Sequence, residues 1–132
     1  MNLIKEVEEW FDIPGDKQKG KLLIAYLNEG EKQEILQDCN ETKYIVKDVN
    51  GEPVEEAVVV PNGTKLRNAI VTGRIKDWDN MFDADKKTKL ECNDENKIAF
   101  SKLTDFMKML NKMILKLDKK VEKDIKTETK NS

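Results

Sequence analysis

The residues best suited to chemistry lie in one acidic stretch, GRIKDWDNMFDADKK, running from Gly73 to Lys87. Asp77 and Asp79 flank Trp78, and Asp83 and Asp85 follow Met81 and Phe82. Carboxylates this close together could hold a hard divalent cation or work as a general acid and base. A calcium loop of the EF-hand type needs oxygen ligands at alternating positions, a glycine at the sixth and a bidentate glutamate at the twelfth. Counting from Asp77 puts Phe82 at the sixth position and Thr88 at the twelfth; counting from Asp83 puts Thr88 and Asp94 there. Neither frame fits, so no metal ligand is assigned, and a small metal-dependent protein using the Asp77 to Asp85 loop is kept as an alternative. Trp78 reads as a core anchor, because an indole can bury about 150–250 Å² and Met81 and Phe82 stand close by to complete an apolar knot. The expectation is a polar turn pinned by one large aromatic. Its rival is an exposed hot spot at an interface.

The rest of the chain offers little for catalysis. It has no histidine, which removes the commonest general base and the commonest metal ligand. There is no glycine-rich phosphate loop, no nucleophile elbow, and no serine or cysteine beside a base. No catalytic residue and no cofactor is assigned, and the expectation is a protein that is not an enzyme. Cys39 and Cys92 are too few and too far apart for a disulfide framework or a zinc site, which predicts two reduced thiols. The 24 basic and 26 acidic residues give a net charge of −2 and are mixed along the chain, so nucleic acid is not an expected partner. No apolar run approaches the roughly 20 residues that span a bilayer, and MNLIKEVEEWF carries carboxylates where a secretory leader is apolar. No membrane association is expected.

The elements that must position these residues follow from periodicity and turn chemistry. A length of 132 residues suits one modest core, here a single domain over 1–120 with a flexible C-terminal tail over 121–132. Leu3, Ile4, Val7, Trp10 and Phe11 predict a short helix over 2–11, ended at Pro14 and Gly15. KLLIAYL, Lys21 to Leu27, predicts a buried strand. Asn28 is a helix cap with Glu29 and Glu31 behind it, which predicts a helix over 29–39. Asn50-Gly51 between two β-branched runs predicts a hairpin with arms over 43–49 and 52–60, and Pro53 makes its strand an edge. Thr64 is read as the cap of a helix reaching Asp77, and Asn93 or Asp94 opens another. Thr104 then leads into the longest pattern in the chain. The fold class is α+β, mostly helical, with a small antiparallel hairpin or sheet packed with about four or five helices.

That last pattern, Leu103, Met107, Leu110, Ile114, Leu117 and Val121, recurs at gaps of three and four as a heptad seam, with Phe106 and Met113 beside it. Two readings stand: ordinary core, or a methionine-rich stripe left to grip a partner helix. In the second reading Met107, Leu110, Met113, Ile114 and Leu117 form the contact, supported by Trp78 and Phe82.

Three segments, KLLIAYLNEGEKQEIL, GRIKDWDNMFDAD and CNDENKIAFSKLTDFMKML, together resemble the small tail assembly chaperones of tailed bacteriophages and prophages over roughly residues 20 to 115. The resemblance implies a non-enzymatic factor of the host cytoplasm that holds the tape measure protein while the tail tube polymerises. The partner is then a protein, with self-association left open. A minor virion or neck component is the structural alternative.

Overall fold

A computed structural model of the protein describes residues 6–131, with side chains described through residue 126. The fold is α+β, as expected, with four helices and two antiparallel sheets among the described residues. The chain forms two compact units. The first comprises residues 1–27 and 70–132 and the second residues 28–69.

The first unit is built on a three-stranded sheet of β1 (Glu8–Asp12), β2 (Lys21–Ala25) and a later strand, β5 (Ile75–Asp79), in the order β1-β2-β5. The central strand β2 carries the predicted apolar run, with Leu22 and Ile24 fully buried. Within the helix expected over 2–11, residues 8–11 belong to strand β1; Leu3 and Ile4 lie outside the described residues. The apolar positions Val7, Phe11 and Ile13 fit the two-residue period of a pleat as well as a helical face, and Trp10 falls on the opposite, exposed side. Pairing with β2, Phe11 opposite Leu22, decides between the two periods.

The helix expected to reach Asp77 stops at Arg74, and the next five residues are β5. Ile75 and Trp78 are both buried at a spacing of three, which imitates a helix. A bulge reconciles this with a strand: Leu23 pairs with Asp77 and Ile24 with Ile75, leaving Lys76 as the extra residue.

The second unit contains helix α1 (Glu29–Asp38) and the hairpin β3 (Asn40–Val49) with β4 (Glu52–Pro61). Asn28 caps α1 as expected: its side chain accepts from the Glu31 N–H, and Glu31 reaches back to the Asn28 N–H. Asn50 and Gly51 both adopt positive φ, 53° and 83°, as a two-residue hairpin turn requires. The cap of α2 (Gly63–Arg74) is Asn62 rather than Thr64, since Asn62 Oδ1 accepts from the Lys65 N–H at 3.0 Å. Helix α2 begins within the second unit and ends within the first.

Helices α3 (Asp94–Ser101), capped by Asn93, and α4 (Thr104–Asn131) complete the first unit. The tail expected from residue 121 is instead the last part of α4, with Val121 buried and Ile125 packed on the core. Buried Arg74 ties α4 to the sheet. Its guanidinium donates to both carboxylate oxygens of Asp118, at 2.9 and 3.2 Å, and to the Ala25 carbonyl at 3.3 Å. No helix among the described residues is long and apolar enough to cross a membrane.

Candidate functional site

The acidic stretch resolves into structural roles. Asp77 and Asp79 belong to β5 and accept from the N–H of the following residue, Trp78 and Asn80. Asp83 accepts from the Ala84 N–H at 2.7 Å. Asp85 accepts from the N–H groups of Lys87 and Thr88, both at 2.9 Å, and from the Thr88 hydroxyl. The Thr88 hydroxyl, then the two backbone donors, hold the Asp85 carboxyl below its ordinary range. No group of three potential metal-ligating side chains occurs among the described residues. Trp78 is the anchor: it is buried, its Nε1–H donates to the Leu90 carbonyl at 2.8 Å, and its ring meets Phe100 edge-on at 5.4 Å. The loop from Met81 to Leu90 closes on itself, since Leu90 N–H donates to the Met81 carbonyl and Asp83 N–H to the Thr88 carbonyl.

That pinned loop forms part of the wall of a groove. Gln18 Nε2 donates to the Lys86 carbonyl, and Asn80 Nδ2 donates to the Lys19 carbonyl, so the connection between β1 and β2 is tied to the segment after β5. Asp16 shapes that connection by accepting from the N–H groups of Gln18 and Gly20. Gly20 is closely approached by side chains, since a Cβ there would lie 2.7 Å from Asp16 Oδ2 and 2.8 Å from Ile13 Cδ1, and both would have to shift to admit it. Opposite this wall runs α4. Between them is a groove of about 740 Å³.

Aromatic and sulfur-bearing side chains line it: Phe11 and Phe82 from the loop side, Phe100 from α3, and Phe106, Met109 and Met113 from α4. Lys108, Lys112 and Lys116 line the α4 edge. Spaced four residues apart on a helix, they lie about 6 Å from one to the next. All three are exposed, and none is in an ion pair with another described residue. Of the acids on the groove, Asp12 faces Lys21 at 3.8 Å and Asp16 holds its own loop. Asp105 completes the acidic lining.

The expected contact residues divide sharply. Met113 and Phe82 line the groove. Leu110, Leu117 and Trp78 do not line it and belong to the core of the first unit, to which Met113 also contributes. Met107 and Ile114 are partly buried against that core and lie off the groove. The buried stripe of α4 is Phe106, Leu110, Met113, Leu117 and Val121, while Leu103, the expected start of the seam, is 56% exposed. The seam of the heptad reading is therefore mostly core, turned slightly about the helix axis. The expected contact set left out Met109, Phe106 and the lysine row. A signal was available in KMLNKMILK, where Lys-Met recurs after four residues and a third lysine follows at the same spacing.

Cys92 and Cys39 are free thiols, and burial pushes the Cys92 thiol up. Compared with protein-family models, with curated proteins and with solved structures, the chain matches none.

Proposed function

We propose that the protein is a non-enzymatic assembly factor whose groove along α4 takes an amphipathic helix of a partner protein, apolar on one face and acidic beside it. The observation that carries this reading is the row Lys108, Lys112 and Lys116, free of described acidic partners, beside a floor that includes Met109 and Met113. Apolar anchors in such a floor supply affinity, flexible thioethers accommodate their shape, and the cationic edge selects an acidic flank and speeds encounter. The absence of histidine from the sequence and the local engagement of the aspartates favour binding over catalysis.

The resemblance to phage tail assembly chaperones supplies the biological form of the proposal: the bound helix belongs to the tape measure protein, and the encounter takes place in the host cytoplasm. Co-expression with the long helical tape measure product of the same genome tests both parts. Copurification is expected, and it should be lost when Lys108, Lys112 and Lys116 are all changed to Glu in a variant with unchanged thermal unfolding. Undiminished capture by that variant contradicts the groove as the site. Failure of the native chain to capture the product contradicts the tail-assembly reading.

A further inference from the structure

The ribbon β3–β4 is a two-stranded sheet with no third strand among the described residues, yet it is rich in β-branched residues. One face carries Tyr44, Val46 and Val59, which are 67%, 72% and 68% exposed. Isolated two-stranded ribbons are marginally stable in water, and an open strand edge is a template for another chain.

We propose that the protein self-associates through antiparallel pairing of β3 with β3 of a second copy, centred on Tyr44. The two edges of the ribbon are not equivalent. A two-residue turn is closed by a hydrogen-bonded pair, here Val49 with Glu52, and such pairs alternate along the arms. The Asn62 N–H donating to the Cys39 carbonyl at 2.8 Å continues the same alternation at the far end. Pro53 and Pro61 therefore occupy positions whose N–H would point outward, so the free edge of β4 lacks donors at both ends. On β3 the outward-pointing residues are Asn40, Thr42, Tyr44, Val46 and Asp48, and every one keeps its N–H. The open edge belongs to β3.

Charge selects the occupant and the register. With Tyr44 opposite Tyr44 of the second copy, residues 40–48 overlap completely and Glu41 faces Lys47 at both ends. Centring on Ile45 sets Lys43 against Lys47, and centring on Lys43 sets it against its own copy; both put like charges directly opposite, which destabilises a pair. Centring on Thr42 keeps an attractive pair, Glu41 with Lys43, but overlaps only about half as many residues, and centring on Val46 leaves no opposite charges facing. Within each ribbon Glu41 already contacts Asn62 and Lys43, and Lys47 contacts Glu56. The cross-copy pairs extend these networks on the same face. The exposed face gains Tyr44 beside Tyr44 and Val46 beside Thr42 across the new pair.

Sedimentation equilibrium on the full chain and on two charge variants tests the inference. The native chain should be dimeric. Glu41→Lys and Lys47→Glu should each be monomeric, since each sets like charges opposite at both ends. An equimolar mixture of the two variants should restore a dimer, because every facing pair is then of opposite sign, and restoration shows that both variants are folded. A monomeric native chain, a dimer unaffected by either substitution, or a mixture that stays monomeric would overturn the proposal.

Discussion

Sheet β1-β2-β5 and ribbon β3–β4 are both antiparallel and both rich in Leu, Ile or Val, yet one is covered and the other is bare. In the first, Leu22 and Ile24 of the central strand are fully buried beneath α4. In the second, each arm is ten residues long and almost every side chain is exposed. Strand propensity is thus satisfied in both, but burial, the larger energetic term, is supplied among the described residues only for the first. A covered sheet stabilises its own unit; a bare one is free to serve another chain.

Substitutions can break or sharpen that contrast. The largest effect is expected at the buried ion pair of the first unit. Asp118→Ala leaves the Arg74 guanidinium, 8% exposed, without its carboxylate, and removing one member of such a pair costs about 3–5 kcal/mol. Urea unfolding followed by tryptophan fluorescence reads this, and a loss below about 1 kcal/mol would show that the pair is dispensable. Next comes Leu110→Ala, which opens a cavity in the same core and should cost about 2–5 kcal/mol. Its counterpart on the ribbon, Val59→Ala, should stay within about 0.5 kcal/mol in a monomeric background such as Glu41→Lys. Equal losses at the two sites would erase the distinction between covered and bare sheets.

The smallest effect concerns Asp85. Its carboxyl lies below its ordinary range because Thr88 and two backbone N–H groups donate to the charged form. The lowered value means that its contribution to stability is present above the unfolded-state pKa and is lost as pH falls through the folded one. An NMR titration of the Asp85 carboxyl should show a midpoint below that of an unperturbed aspartate, and Thr88→Val should move it upward. A midpoint unmoved by that change would remove the hydroxyl as the cause.

What was legible in the sequence was local. Asn28 with Glu31, Asn50-Gly51 and Asn93 each set a cap or turn through contacts within four residues, and all three were readable from residue type alone. Trp78 as an anchor was readable from its size. Elements β1 and β5 were misread because their partners decide them: Phe11 takes strand form against Leu22, and a bulge at Lys76 lets two positions three apart share a face. The heptad reading of α4 found the right helix but rotated its buried stripe, because Phe106 and Met113 fill the core where Met107 and Ile114 were expected. The groove was hidden for a similar reason. Lysines at a period of four look like a solvated face until a wall from residues 11–18 and 80–82 stands opposite them.

The central claim is that the lysine-edged groove, and not the flank of α4 that carries Met107 and Ile114, receives an acidic helix. The methionines test it directly, because labelled methyl groups at Met107, Met109 and Met113 sample the two sides of one helix. The probe is a synthetic amphipathic helix with leucines on one face and glutamates beside them. Its addition should shift the Met109 and Met113 methyl resonances and leave Met107 in place, and a version with lysines for glutamates should shift none. Shifts confined to Met107, or equal responses to the acidic and basic peptides, would contradict the account.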